Sequence, residues 1–500
     1  MVRLSHLVSE LGGVCTPAPA GALDREVRDV HVDSRRVARG DLFAALPGLS
    51  VDGARFVPDA LARGAAAVLS PRALAGVEHP AGGAFSHWIH PDAPRAAGEA
   101  AALVHDRPAR AQRVAGITGT NGKTTTAFFI GELARAAGFR PAVVGTVGYR
   151  LWGGAELPAT HTTPDATELQ RLLSLNLRQG GDLFALEISS HALDQDRVAG
   201  LELDVAVFTN LTRDHLDYHL TMEAYRDAKA RIFRLLKAEG TAVIHADDAH
   251  GEHMLAAARA AGRSTVTFGT GSRCDLCVSR TASGRGGIQL FLQGMGIQAE
   301  GLKLPLVGRH NVENAIAATA AVLLMGASPS RVLEGLASIS SPPGRLEPVD
   351  TGARGFLCYV DYAHTPDALG RVLAALRPLV APPGRLVVVF GCGGDRDRGK
   401  RAPMGAVAAR GADVVVVTSD NPRGEEPEAI AREVERGAAA AGARAVVEID
   451  RRAAIRRALS EAREGDVVLI AGKGHETWQH SGGQKLPFDD RRVAAEELRP

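Results

Sequence analysis

The chain has 500 residues, 45% hydrophobic, 23% charged and 4% aromatic, with a formal charge of +1. That length is consistent with roughly three domains with sizeable cores, and the near-neutral charge and scarce aromatics give no footing for nucleic acid or an anionic membrane. No apolar run approaches the ~20 residues of a membrane span and the N-terminus lacks a signal-peptide pattern. The reading is a cytoplasmic enzyme, monomeric and acting on small molecules.

Residues 1–107 alternate short strands and helices. Residues 27–32 alternate apolar and polar and predict a strand into Asp33-Ser34-Arg35, which alone reads as a turn. Residues 42–46 predict a buried strand, 60–64 a helix and 66–69 another strand. His105-Asp106-Arg107-Pro108 marks a linker into a second domain, 108–341.

There, a short apolar run ending at Ala115 leads into Gly116-Ile117-Thr118-Gly119-Thr120-Asn121-Gly122-Lys123-Thr124-Thr125-Thr126. Ile130, Leu133, Ala134 and Ala137 then recur at helical spacing, and Gly138 supplies a C-cap. Strand, glycine-rich turn and a helix opening on Lys-Thr form a phosphate cradle. Backbone N–H groups face the anion, Lys123 adds charge and the Thr124 hydroxyl can hold Mg²⁺. Ile117 stands where the strict P-loop has its first glycine, so Gly119 and Gly122 are expected to make the turn. A nucleoside triphosphate is the expected ligand.

Further strands, 184–188, 205–208 and 241–244, each run into polar residues. In a parallel sheet ligands sit beyond these carboxyl ends, so Glu187 and His215 become candidates to share a divalent metal with Thr124. A helix is predicted over 221–237, and Lys229 falls in its apolar stripe with Met222, Tyr225, Ile232 and Leu236. The side chain either snorkels its ammonium to water or sits buried as a nucleophilic amine of lowered pKa. Five cysteines argue against a disulfide framework, and Cys274-x-x-Cys277 lacks the two further ligands of a zinc site.

From 342 to 500 the chain restarts as a third α/β domain. Strands 386–390, 414–417 and 467–470 lead into Gly391–Asp397, Thr418–Arg423 and Ala471–Glu476. Each loop combines glycine or proline with charges of both signs, and together they describe a crevice for a zwitterion. The fold class expected is α/β in three domains, with a central P-loop-type ATPase domain on a mostly parallel sheet and a Rossmann-like C-terminal domain.

The loop 118–124 resembles that of the Mur ligases, the ATP-dependent amide-forming enzymes of peptidoglycan precursor synthesis. Thr162-Thr163-Pro164-Asp165, Glu187-Ile188-Ser189-Ser190-His191, the run 210–219, His310-Asn311-Val312-Glu313-Asn314, Pro343-Gly344-Arg345-Leu346-Glu347 and Asp361-Tyr362-Ala363-His364-Thr365-Pro366-Asp367 extend the resemblance over nearly the whole chain, to the MurE type.

That resemblance implies the roles. Residues 1–107 would hold the uridine nucleotide of a UDP-muramoyl dipeptide, with Ser34 near the uracil and Leu49, Ser50 and Val51 beside the diphosphate. Thr162, Thr163, Ser189, Gln195 and Arg197 would contact the muramoyl-peptide end, with His161 where the family often has Asn. ATP would bind Gly119, Thr120, Asn121, Gly122, Lys123, Thr124 and Thr125, together with Asn311, Asn314 and Arg345. Thr124, Glu187, His215 and Lys229, the last carried as a CO₂-derived carbamate, would serve Mg²⁺, and Lys123, Lys229 and His215 would be catalytic.

The last domain would bind meso-diaminopimelate through Arg396, Asp420, Asn421, Pro422, Arg423, Gly472 and Glu476. Lysine-adding relatives carry a different residue where Arg423 stands, and a guanidinium suits the extra carboxylate of diaminopimelate. The implied reaction is acyl-phosphate formation on the D-glutamyl carboxylate followed by attack of the amine, with the last domain closing on the central one. The alternatives are a folylpolyglutamate synthase, disfavoured by Asp33-Ser34-Arg35 and the 420–423 loop, and a nucleotide-dependent switch without ligase chemistry.

Overall fold

The computed structural model describes residues 2–16, 24–48, 51–74, 76–80, 84–154, 156–271 and 273–499. Leu49 and Ser50, assigned above to a diphosphate, lie outside the described residues. The chain forms two compact units. One comprises Met1–Cys277, Gly294–Gly296 and Ile316–Gly335, and the other Val278–Gln293, Ile297–Ala315 and Leu336–Pro500.

The first unit opens with a five-stranded sheet, in the order Val14–Thr16, His87–Ile89, Ala67–Ser70, Leu42–Ala44, Val30–His31. Only the first pair is antiparallel. The alanine-rich helix Ala93–Val104 covers one face, burying Ala93, Ala97 and Ala100 against Leu42, Leu69 and Trp88. It also meets the helix Ala166–Arg178 at Gly98, where a Cβ would come within 2.7 Å of Ala166 and Ala199.

The second sheet of this unit carries the phosphate loop. As far as Ser264–Gly269 its order is Glu156–Leu157, Gly148–Arg150, Pro141–Gly145, Leu183–Glu187, Arg113–Thr118, Leu203–Phe208, Leu236–His245, Ser264–Gly269. From Pro141–Gly145 to Ser264–Gly269 every pairing is parallel. Parallel strands are covered on both faces and so read as continuous apolar runs, as in Leu183-Phe184-Ala185-Leu186, all fully buried. Register places Glu187 opposite Ile117 and Phe208 opposite Thr118, which brings the polar residues after each strand to one edge.

Three expectations for this unit are corrected. Residues 27–32 divide into Glu26–Val27 and Val30–His31, in different sheets, because the Asp29 carboxylate caps Val30 N–H at 2.8 Å and interrupts the run. The 221–237 helix stops at Ala230, and a 3₁₀ turn Arg231–Leu235 feeds a strand that begins at Leu236. Ile232, Phe233 and Leu236 are all buried, and Leu236 leaves the helical path to pair in parallel with Leu203 of the neighbouring strand. The 60–64 helix spans Val57–Ala62, with Pro58 in its first turn.

Cys274 and Cys277, read above only as lacking the further ligands of a zinc site, pair as one local disulfide, and Cys15, Cys358 and Cys392 are free. Among the described residues no helix is long and apolar enough to cross a membrane.

The second unit is built on a six-stranded sheet ordered Glu347–Val349, Leu357–Asp361, Val467–Ala471, Leu386–Phe390, Val414–Val417, Val446–Val447, parallel except at the first pair. Leu386, Val388 and Phe390 pack beneath the helices Pro366–Leu376, Arg401–Gly411 and Pro427–Ala440, while Val387 and Val389 face Arg451–Ser460 and Asp490–Glu497. The three charged loops leave the carboxyl ends of adjacent strands.

Candidate active site

In the first unit, Gly119 and Gly122 adopt φ of 151° and 86° and make the turn ahead of the helix Lys123–Ala136. A Cβ on Gly119 would run into the Thr209 hydroxyl. That hydroxyl donates to Asn121 O at 2.7 Å, and Asn210 grips the same residue from both sides, accepting from Asn121 N at 2.9 Å and donating to its carbonyl at 3.0 Å. Thr120 N donates to Asn210 O at 2.9 Å. The loop is therefore shaped by its neighbours.

Beneath it, Thr124 Oγ1 donates to Glu187 Oε2 at 3.0 Å. Glu187 is 2% exposed and also accepts from Thr146 N at 2.8 Å and Thr146 Oγ1 at 3.1 Å. A hydroxyl and a carboxylate at the helix N-terminus are the hard oxygen donors that Mg²⁺ takes.

Lys229 is 1% exposed, so the snorkelling alternative is set aside. Its Nζ donates to Gly119 O at 2.8 Å and lies 4.4 Å from the Tyr225 ring centroid. Lys123 Nζ donates to the same carbonyl at 2.8 Å and to Thr120 O at 2.9 Å. Burial, and then the neighbouring Lys123 charge, push the Lys229 ammonium well below its ordinary range. Tyr225, buried against it, hydrogen-bonds Thr120 at 3.2 Å and is pushed up to about 12 by burial.

His215, half-exposed at φ 51°, opens the short helix Leu216–His219, its ring 4.9 Å from that of His191. Burial lowers the pKa of both imidazoles, and Lys123 and Lys229 lower His215 further, against the opposing pull of Asp214. This favours the neutral, ligating form.

In the second unit, Asn311 and Asn314 lie buried at the start of the helix Arg309–Leu324. Asn311 Nδ2 donates to Val307 O at 2.9 Å. The Arg345 guanidinium stacks 4.8 Å from the Tyr362 ring centroid. Asp361 accepts from Leu346 N at 2.7 Å and Ala363 N at 2.8 Å, and burial holds its carboxyl above the usual range.

Beyond the strands of this unit, Arg423 sits at φ 55°, pinned by Arg423 N to His480 O and Gly482 N to Arg423 O, both 3.0 Å. Its Nη1 donates to Gly394 O at 2.7 Å. A Cβ on Gly393 would come within 2.9 Å of that Nη1, so Gly393 makes room for the guanidinium, while one on Gly394 would run into the Pro422 carbonyl. Asn421 Nδ2 donates to Glu476 Oε2 at 3.0 Å, and a Cβ on Gly472 would come within 3.0 Å of Asp420. Arg396 is exposed.

Three family models match the chain in succession: "Mur ligase family, catalytic domain" at residues 26–117, "Mur ligase middle domain" at 117–322 and "Mur ligase, glutamate ligase domain" at 344–474. A UDP-N-acetylmuramoyl-L-alanyl-D-glutamate--2,6-diaminopimelate ligase of Synechococcus elongatus is 44% identical over 95% of this chain and 94% of its own. One from Chromobacterium violaceum is 45% identical over 96% of each. The chain belongs to the Mur ligase family. A solved structure of a ligase with the same name superposes with a TM-score of 0.71 at 36% identity, covering 99% of this Mur ligase and 98% of that chain.

The remaining expected residues of the Mur ligase fall in the first unit. Thr162 Oγ1 and Thr146 Oγ1 lie 3.1 Å apart, and Thr163 Oγ1 donates to Glu187 O at 2.8 Å, which ties both threonines to the Glu187 strand end. Ser189 caps the next helix, accepting from Ala192 N at 3.1 Å, and Gln195 donates to Tyr218 at 3.1 Å. Arg197 follows it, half-buried. His161 exposes its ring, while Tyr149 OH donates to its carbonyl at 2.9 Å. Ser34 is buried beside Asp59, whose carboxyl its hydroxyl helps hold below the usual range, and Val51 is exposed.

Sequence reasoning passed over Thr146, Thr209, Asn210 and Tyr225. Tyr225, one helical turn before Lys229, and Asn210, at the head of the resembling run 210–219, carried the usable signals. Thr146 and Thr209 are single polar residues after apolar strands, and nothing local says which loop they reach.

Proposed function

We propose that this Mur ligase uses ATP to join the D-glutamyl carboxylate of UDP-N-acetylmuramoyl-L-alanyl-D-glutamate to an amine of meso-2,6-diaminopimelate, in cytoplasmic peptidoglycan precursor synthesis. The observation that carries the reading is the meeting of Lys123, the Thr124–Glu187 pair and buried Lys229 on one phosphate loop. Backbone N–H groups at the helix start and the Lys123 ammonium hold the triphosphate. Mg²⁺ at Thr124 and Glu187, with His215 on the Lys229 side, would offset charge on the phosphoryl group in transfer.

The γ-phosphoryl passes to the carboxylate, and the resulting acyl phosphate has a good leaving group in place of oxide. Attack by the amine gives a tetrahedral intermediate that collapses to amide and phosphate. Lys229 serves as a carbamate: its neutral amine adds to CO₂, a proton leaves, and a neutral group becomes an anion able to ligate metal.

For the amino acid, Arg423 directs its remaining N–H groups to the distal carboxylate, Arg396 adds a second cation, and Glu476 with the Gly472 backbone receives the distal ammonium. Asp420, Asn421 and Pro422 shape that loop. Asn311, Asn314 and Arg345 serve ATP. Ser34 and the 49–51 segment serve the uridine diphosphate, and His161, Thr162, Thr163, Ser189, Gln195 and Arg197 the muramoyl peptide. Phosphate release measured with the UDP-dipeptide, ATP and a panel of amino acids tests both reaction and specificity. Turnover with meso-diaminopimelate and little with lysine is expected; equal turnover with lysine defeats the Arg423 argument, and no amino-acid dependence defeats the ligase.

A further inference from the structure

Lys473 lies between Gly472 and Gly474 in the second unit and is fully buried. A buried ammonium costs several kcal/mol unless its donors are met, and an apolar side chain would fill the space more cheaply. Its Nζ donates to Asn421 Oδ1 at 3.1 Å and Glu476 Oε2 at 3.2 Å, and stands 3.6 Å from Asp420 Oδ1.

Asn421 is thereby fixed on every side. Its Oδ1 also accepts from His480 N at 2.9 Å, and its Nδ2 donates to Glu476 Oε2 at 3.0 Å. Glu476 Oε2 carries both donors, so its other oxygen is left for a ligand. Asp420 is 7% exposed and its Oδ1 is buried without a hydrogen-bond partner.

The Arg451 guanidinium, nearby on the 451–460 helix, is matched by Asp490 through hydrogen bonds of 2.7 and 2.6 Å, both side chains being fully buried. Arg451 uses its remaining donors on Ser419 O at 3.2 Å and Ala471 O at 2.9 Å, tying the two loops together. Asp420 and Glu476 also act on Arg451 through space, but Lys473 is in direct contact with both.

We infer that Lys473 is a positioning residue of the amino-acid site: it sets Glu476 and Asn421 for the ligand and offsets part of the Asp420 and Glu476 charge, leaving the rest for the ligand's distal ammonium. The inference rests on the assignment of these loops to the incoming amino acid. Lys473 acts on that ligand through Glu476, not by touching it.

The test is a double-mutant cycle on the full-length enzyme, read as KM for meso-diaminopimelate, with the KM for ATP and for the UDP-dipeptide as controls. Lys473→Met is expected to raise the amino-acid KM by roughly 10-fold, the effect of one lost charge-assisted hydrogen bond, and to leave the other two KM values in place. In a Glu476→Gln background the same substitution should add little. An equal fold-change in both backgrounds, or a matching rise in the ATP KM, overturns the inference. Lys473→Gln, which keeps a donor and most of the volume, makes the same comparison if the methionine variant does not fold. If Glu476→Gln itself leaves the amino-acid KM unchanged, the site assignment fails and takes the inference with it; if only the cycle is additive, the assignment stands and Lys473 is merely structural.

Discussion

Lys229 and Lys123 each donate to the Gly119 carbonyl at 2.8 Å, so their nitrogens are at most 5.6 Å apart. At an effective dielectric of about 20, two like charges at that distance repel by about 3 kcal/mol. Burial of Lys229 adds to this, and the neutral amine is the favoured form. A carbamate in place of the neutral amine gives an attraction to Lys123 of about 3 kcal/mol on the same dielectric. Replacing Lys229 by Ala removes that anion and whatever metal ligand it supplies. Losses of preorganised electrostatic stabilisation of this kind cost about 10²–10³ in kcat. Steady-state phosphate release for Lys229→Ala should fall by that factor, and formate or acetate should restore part of it. CO₂-depleted buffer should depress the unmodified enzyme, with recovery on adding bicarbonate, and its mass should carry one CO₂. A variant with more than a tenth of normal kcat, or enzyme indifferent to CO₂, refutes the reasoning.

Arg423→Ala should raise the KM for meso-diaminopimelate by about 10- to 100-fold, the worth of a charge-assisted pair of hydrogen bonds; an unchanged KM in the phosphate-release assay removes Arg423 from the site. Gly119→Ala places a Cβ on the Thr209 hydroxyl at φ 151° and should weaken ATP binding by about 5- to 160-fold, given overpacking costs of about 1–3 kcal/mol; isothermal titration with ATP checks it, and intact affinity counts against the tight loop. Burial, and then Arg371, depress the His310 imidazole from 6.5 to about 4. Between those pH values the unfolded chain binds the extra proton, so stability rises with pH and this group's contribution is lost as the pH drops from 6.5 to about 4, by up to about 3 kcal/mol. Urea midpoints of His310→Gln should therefore lose less on acidification than those of the unaltered chain; parallel slopes would be the contrary result.

The strands and the polar loops at their carboxyl ends were legible because buried parallel strands write themselves as apolar runs and leave polarity only at the ends. Gly119, Gly122 and Lys123 were legible for a related reason, since a phosphate cradle needs particular residues at close spacing. What escaped was everything closed through space. The grip of Thr209 and Asn210 on Asn121 joins residues about ninety positions apart, and no local period encodes it. The stripe containing Lys229 was visible, but a helical wheel does not say whether an ammonium ends in water or on a carbonyl. The Arg231–Leu235 turn was missed because apolar residues at 232, 233, 235 and 236 fit a helix face for a few positions before tertiary packing takes the chain into the next strand.

The missing Cβ of Gly119 and the hydroxyl of Thr209 claim one volume, and that makes the two positions a single unit of sequence. A phosphate loop grafted from another ATPase, with any side chain at 119, would need a smaller residue at 209, and would then forfeit the bond that holds Asn121. Libraries that vary residues 118–124 alone will recover few active members; those that vary 209 and 210 with them have access to solutions the first set cannot reach.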